Sequence, residues 1–457
     1  MPNSTQRQRT TLVAVIVIAF GCRVAAKVVF SDERMFWRDA YREYYNIAHS
    51  LKNGKGFCTR LNNNALEHAG IDQAILGAGC AHLPPGYPLF LALVASMPEG
   101  PEKCFQFDRS CDADYLSIVL AQALLSTGTV ACAYLLGSHL FDPPTGLLAS
   151  LFASFYPYYV WHDTSLQETG VFTFFTTLSV VLLYKAVGSR RRVIWVLGGG
   201  ALGATVLIRA SLLPFVGLAV IWLVVPFCGR TLRERIAPLS LLVLAFVVVL
   251  SPWIVRNILV LGEPAITTQT GRFLWIGNNA ATFSHYPVES MDLSEAAAWQ
   301  ELSSTELEEI HWLTTDEIGQ SDWFFRQGVD YVLSHPFRTL RSSIAKIRAG
   351  FSWKLSPSRD SLRNLLYSFS YGPHLVFGTV GIFLTRKRWR ELSLIYLLYV
   401  AFMVGTAVFW ANSSHRSYLD LYLIMFSAHS IRALYARRAR WLKQTRLLFQ
   451  RRTGNMC

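Results

Sequence analysis

Two acidic stations stand out in hydrophilic stretches beside apolar blocks: Asp39, and the pair Asp163 and Glu168. The basic residues able to face them are Arg209, Arg256, His415 and Arg416. A carboxylate near a membrane surface, opposite guanidinium or imidazole groups, suits the transfer of a sugar from a lipid-linked phosphate. The carboxylate takes the proton of an acceptor hydroxyl. Arg or His stabilises the negative charge that builds on the departing phosphate. Each residue also has a plainer use. Asp39 as an N-cap is worth ~1 kcal/mol, Glu168 could cap the next helix, and Arg256 could anchor a head group.

The element that must position Asp39 is an amphipathic helix running to Leu51. Tyr41, Tyr44, Tyr45, Ala48 and Leu51 recur at steps of three and four, so they share one face. Past His82 comes the run Leu83, Pro84, Pro85, Gly86, Tyr87 and Pro88, then a short apolar helix too short to span a bilayer. The two are expected to lie on the membrane surface with a carboxylate between them.

The chain has 457 residues, of which 52% are hydrophobic and 16% charged. Soluble chains carry about 25% charge, and here the apolar residues come in long blocks, so the fold class is an all-α polytopic membrane protein. The net charge of +13 does not indicate nucleic acid, because the basic residues fall in short clusters between apolar blocks.

About ten spans are expected, near 11–30, 114–140, 146–161, 168–184, two short ones within 193–227, then 236–253, 365–384, 392–410 and 418–434. Arg230, Arg233 and Arg235 mark the same side as Arg190 to Arg192, Arg386 to Arg390 and the basic tail after Arg437. This places both termini in the cytoplasm and both long loops outside, in a plasma (bacterial inner) membrane. Arg23 and Lys27 would snorkel to head groups near the outer end of the first span.

Three parts follow: 1–256 as an N-terminal transmembrane catalytic module with its first outer loop at 31–113, 257–364 as an outer helical segment, and 365–457 as the C-terminal spans and basic tail. In the outer segment, Asp292 and Glu295 have capping-box spacing. Phe337, Leu340, Ile344, Ile347 and Phe351 form an apolar stripe beside Arg338, Arg341, Lys346 and Arg348, the pattern of an interfacial helix.

Cys58, Cys80, Cys104 and Cys111 all fall in the first outer loop, while Cys22, Cys132, Cys228 and Cys457 fall in spans or inside. Two disulfides in an oxidising compartment are expected. Proximity favours Cys58–Cys80 and Cys104–Cys111. No His/Cys spacing matches a zinc site, so no metal ligand set is expected. No cofactor is required by the sequence, and the use of a divalent metal is left open.

In order along the chain, Asp39 and Tyr44 are followed by Ile47, Ala48, Leu51, Gly54, Gly56 and Phe57, and then by the Pro84–Ala92 run. Ser165 stands three before Glu168 and Thr169, and Arg209 precedes Ala210 and Ser211. Pro252, Trp253, Arg256 and Asn257 lead to Thr268 and Gly271, then Gly277, Asn278 and Asn279, and finally Arg416. This series resembles the GT-C membrane glycosyltransferases, closest to glycosyltransferase family 39, the protein O-mannosyltransferases, and to the aminoarabinose transferase of lipid A. The resemblance implies an inverting transferase that uses a polyprenyl-phosphate sugar donor on the outer face. It implies Asp39 as base, with Asp32 and Glu43 as rivals, since Asp39 stands five residues before Tyr44 where the family spacing is four. It implies a donor and acceptor site drawing on Tyr44, Tyr45, His82, Tyr87, Arg209, Arg256, Asn278, Asn279, His415 and Arg416. The acceptor would be a glycan, a lipid or a protein, and membrane lipids would be further partners.

Two other classes fit the composition: a transporter or flippase of lipid-linked sugars, and a non-catalytic subunit of a polysaccharide export complex. A transporter would place charged groups or broken helices near the bilayer midplane. Here most ionisable residues cluster at span ends, and only the broken 193–227 stretch departs from that.

Overall fold

The computed structural model describes residues 4–30, 36–37, 41–61, 63–97, 100–106, 111–225 and 232–453. Asp39 and its rival Asp32 lie outside the described residues, as do Arg230, Cys228 and Cys457.

The chain is an all-α polytopic membrane protein. It opens with α1 (Ser4–Phe30), then α2 (Arg42–Lys52), a two-residue strand β1 (Thr59–Arg60), α3 (Asn64–Ala69) and β2 (Ala78–Gly79). Next come α4 (Gly86–Val94), α5 (Pro101–Phe105), α6 (Asp112–Leu140), α7 (Pro143–Phe155), α8 (Pro157–Asp163) and α9 (Thr169–Gly188). Then follow α10 (Arg192–Ile208), α11 (Leu213–Val224) and α12 (Leu232–Leu261). The segment after α12 holds α13 (Gln269–Gly277), α14 (Met291–Gln300), α15 (Ser304–Trp312), α16 (Glu317–Ser334) and α17 (Pro336–Gly350). The chain closes with α18 (Ser361–Leu384), α19 (Trp389–Val408) and α20 (Ser413–Thr453).

Among the described residues, five stretches are long and apolar enough to cross a membrane: Gln8–Val29, Asp112–Leu140, Thr169–Gly188, Ile236–Leu261 and Arg386–Val408. Arg192–Ile208 and Ala210–Val224 are shorter apolar helices. The expected span near 146–161 is broken in two. Pro157 supplies no N–H and pushes Tyr156 out of the helical region, to φ −68° and ψ 110°. The expected break at Arg209 is present, with the residue extended between α10 and α11. Helices α10 and α12 approach closely along Gly199 and Gly203. A Cβ at Gly199 would lie 2.0 Å from the Leu242 carbonyl oxygen, so this seam requires small residues.

The helix after Asp39 starts at Arg42, with Tyr41 as its N-cap and no side-chain cap. It buries Tyr44, Tyr45, Ile47 and Ala48, while Tyr41 is exposed. It packs on α4 through Tyr44 and Tyr87, whose rings meet edge to face at 5.0 Å. The capping box of the 257–364 segment is also displaced. Ser290, not Asp292, caps α14, and the reciprocal box joins Ser303 and Glu306 at the start of α15. Glu295 instead pairs with Arg272 and accepts from Asn63 Nδ2 at 2.9 Å, which ties this segment to the loop before α3. The disulfides are Cys58–Cys80 and Cys104–Cys111. The first flanks the β1–β2 pairing, where Thr59 faces Gly79 and Arg60 faces Ala78.

Candidate active site at the end of the bundle

The five residues between α8 and α9 form the hub of the site. Gln122 on α6 donates through Nε2 to the carbonyls of Asp163 at 3.0 Å and Ser165 at 2.9 Å. Its Oε1 accepts from the Tyr87 hydroxyl at 2.6 Å. The backbone N–H of Tyr41 donates to Leu166 O at 3.2 Å. One loop therefore joins α6, α4 and the start of α2.

Glu168 ends that loop and forms an ion pair with Arg209, both side chains being mostly buried. Burial alone would raise the Glu168 carboxyl, but the charge and hydrogen bond of Arg209 outweigh it and leave the pKa lowered. The glutamate is therefore held ionised. Arg209 also donates to Thr169 Oγ1 at 3.2 Å and lies over the Phe172 ring at 4.6 Å. Its Nη1 is buried without a hydrogen-bond partner among the described residues. His415 is among the smaller influences that lower the Glu168 pKa, and its Nδ1 accepts from the Asn412 N–H at 3.1 Å. This leaves Nε2 as the protonated nitrogen. His162 shares Nδ1 with the Gln167 amide at 2.7 Å, and its buried Nε2 has no partner among the described residues.

Asp163, five residues earlier, faces another way. Arg23 Nε donates to Asp163 Oδ2 and to Ser126 Oγ, both at 2.8 Å, and Arg23 Nη1 donates to Ala19 O at 2.9 Å. Arg23 is fully buried. The expected snorkelling is thus overturned: the ion pair and backbone carbonyls hold Nε and Nη1 of the guanidinium inside the bundle, while Nη2 is buried with no partner among the described residues. Gly170 fits against this pair, since a Cβ there would lie 2.6 Å from Asp163 Oδ1.

The other candidates divide. Tyr44 and Tyr87 border the Glu168 cluster, though the Tyr87 hydroxyl is already bound to Gln122. Tyr45 donates to Asp114 Oδ2 at 2.7 Å, and Asp114 also receives the backbone N–H groups of Ser96 and Met97. His82 Nε2 lies 3.5 Å from Glu43. Arg256 donates to Cys80 O at 2.8 Å and lies 5.1 Å from the Trp253 ring, which locks the disulfide hairpin. Asn278 and Asn279 bond the backbone of their own turn, to Leu274 O and Trp275 O. Arg416 is buried on Asp420 at 2.9 Å, on the Tyr367 hydroxyl at 2.6 Å and over the Tyr371 ring at 3.8 Å. The structure gathers Glu168, Arg209, His415, His162 and the tyrosines. Arg256, Asn278, Asn279 and Arg416 hold the framework.

Sequence reasoning passed over Gln122, Asp114, Glu317 and Asp420, and gave Arg23 a surface role. Glu317 accepts from the N–H groups of Cys80 and Ala81. A polar or ionised residue inside an apolar block was the available signal for Arg23, Gln122 and Asp420.

Residues 111–255 match the family described as dolichyl-phosphate-mannose-protein mannosyltransferase. No curated protein sequence matches the chain. The crystal structure of the Archaeoglobus fulgidus oligosaccharyltransferase in the apo form shares the fold at TM-score 0.57 and 11% identity, covering 96% of this chain and 52% of that one. The A. fulgidus oligosaccharyltransferase AglB with an inhibitory peptide and a dolichol-phosphate aligns at TM-score 0.51 and 12% identity, over 96% and 52%. ArnT from Cupriavidus metallidurans bound to undecaprenyl phosphate aligns over 94% of this chain and 78% of that one at 13% identity, and its TM-score of 0.35 carries no argument. The chain spans about half the length of the archaeal enzyme it matches. Over residues 111–255 this chain is similar to the dolichyl-phosphate-mannose-protein mannosyltransferase family, and in the arrangement of its helices it shares the fold of the archaeal oligosaccharyltransferase.

Proposed function

We propose that this chain is an integral-membrane inverting glycosyltransferase that moves a sugar from a polyprenyl-phosphate donor to an acceptor hydroxyl on the outer face of the membrane. The observation that carries this reading is the Glu168–Arg209 pair under the start of α2, with Arg209 Nη1 unpartnered among the described residues and His415 acting on the same carboxyl. The family match over 111–255 and the dolichol-phosphate named for the archaeal neighbour support a lipid-phosphate donor.

In this mechanism the acceptor oxygen attacks the anomeric carbon as the bond from that carbon to the phosphate oxygen breaks. The acceptor proton passes to Asp39. Arg209 and the Nε2–H of His415 stabilise the charge on the leaving polyprenyl phosphate. Glu168 orients Arg209 and, being held ionised, does not compete as the acid. Tyr41, the exposed one of the α2 tyrosines, offers a ring against which a sugar can lie.

The test is transfer of label from polyprenyl-phosphate sugars in proteoliposomes containing wild type, Asp39→Asn, Glu168→Gln or Arg209→Lys. Loss of transfer in folded Asp39→Asn protein supports the base. Full activity in that variant removes it and points to Asp32 or Glu43. An inactive wild type that moves labelled lipid between leaflets replaces this reading with a transporter.

A further inference from the structure

Helix α17, near the end of the 257–364 segment, presents an apolar face that no described residue covers. Phe337 is 88% exposed, Leu340 62% and Ile344 54%, and Leu333, at the end of α16, is 72% exposed. The steps of three and four put the α17 residues on one side of the helix. The opposite side is the docked one: Lys346, Ala349 and Gly350 are buried.

Two bonds fix the depth at which α17 sits. Ser343 Oγ donates to Ala407 O at 2.9 Å, and Lys346 Nζ to Val408 O at 3.4 Å. Those carbonyls are the last of α19, within the membrane-crossing stretch Arg386–Val408. A 15-residue helix fastened to the mouth of a span is too short to cross a bilayer and runs along its boundary. The charge on it has one sign. Arg338, Arg341, Lys346 and Arg348 are its ionisable residues, with no acid among them. Arg341 follows Leu340 and Arg348 stands four after Ile344, so both border the apolar face. Both are exposed and have no carboxylate partner among the described residues.

We propose that α17 is a lipid-binding surface: Leu333, Phe337, Leu340 and Ile344 enter the acyl boundary while Arg341 and Arg348 engage anionic phospholipid head groups. Apolar burial supplies the attachment, and the arginines supply the preference for negative lipid. Because α17 also holds the Asn278 turn, through Lys346 Nζ to Asn278 Oδ1 at 3.2 Å, lipid engagement bears on that turn as well.

The test uses the full chain with benzoyl-phenylalanine at Leu340, reconstituted in vesicles of equal phosphatidylcholine and phosphatidylglycerol. After irradiation, adducts are identified by mass spectrometry. Leu244, exposed midway along α12, is the reference position. Phosphatidylglycerol adducts at 340 should exceed phosphatidylcholine adducts by at least about threefold, with none of this bias at 244. The pair Arg341→Gln and Arg348→Gln, both exposed, should return the ratio at 340 to that at 244. Lipid adducts at 340 in the bulk ratio overturn the head-group preference. Adducts to a second copy of the chain, or none to lipid, overturn the surface itself. The readout needs no sugar transfer, so its outcome is separate from that of the transferase reading.

Discussion

The backbone N–H of Tyr41 donates to the carbonyl oxygen of Leu166 at 3.2 Å, so two loops 125 positions apart in sequence are hydrogen-bonded into one site. Leu166 stands two residues before Glu168, and Tyr41 two residues after Asp39. The bond joins the start of α2 to the loop that carries Glu168 through main-chain geometry. It is held from below by Gln122, which fastens both the 163–165 backbone and Tyr87.

Gln122→Leu removes three hydrogen bonds from this hub and touches no substrate. Transfer activity should fall by roughly 10²-fold, mostly in kcat, because small displacements of a catalytic loop are costly. Radiolabel transfer at saturating donor checks it. Unchanged kcat with a raised KM would instead make Gln122 part of donor binding.

Arg209→Met leaves Glu168 buried without its counter-charge. Breaking a buried pair in this way destabilises by about 3–5 kcal/mol, so the Tm in detergent should fall well below that of wild type. The double variant Arg209→Met with Glu168→Leu should recover most of the Tm and none of the activity. That split separates the structural from the chemical use of the pair.

The Arg23–Asp163 pair is predicted to be structural. Arg23→Leu alone should destabilise by about 3–5 kcal/mol, and adding Asp163→Leu should restore much of it, since apolar replacements of buried pairs are often tolerated. Thermal unfolding of the two singles and the double completes the cycle. Loss of activity in a double variant of full stability would move Asp163 into the chemistry.

Lys346 sets a pH dependence. It is buried and, among the described residues, held by backbone carbonyls and Asn278 Oδ1, and desolvation lowers its pKa from 10.5 to about 8. Between those values the unfolded chain binds the proton and the folded chain does not. Stability therefore rises with pH through that window, by on the order of 3 kcal/mol in total. Wild type should gain Tm relative to Lys346→Met between pH 8 and pH 10.5. A constant difference across that range contradicts the burial of this amine.

Membrane class, the break at Arg209 and the amphipathic character of α2 and α17 were legible because each rests on local composition or periodicity. A run of apolar residues needs no partner to declare itself in a bilayer, and neither does a proline that denies its helix an N–H. Even there, the local reading stopped at Pro157, whose break at Tyr156 divided a stretch that composition alone left whole.

What only the tertiary structure decided is which charge meets which. Arg23 reads as a snorkelling residue and is a buried partner of Asp163. Asp163 and Glu168 read as one acidic station and face different guanidiniums. Arg256 and Arg416 read alike with Arg209, yet one clamps a disulfide hairpin and the other an intramembrane carboxylate. Sequence determines that these charges exist and lie near span ends. Their pairing depends on distances across helices far apart in the chain, set by packing at seams such as Gly199 against Leu242. In a low-dielectric bundle, a shift of a few ångströms decides whether a guanidinium is bound to a carboxylate or left to meet a phosphate.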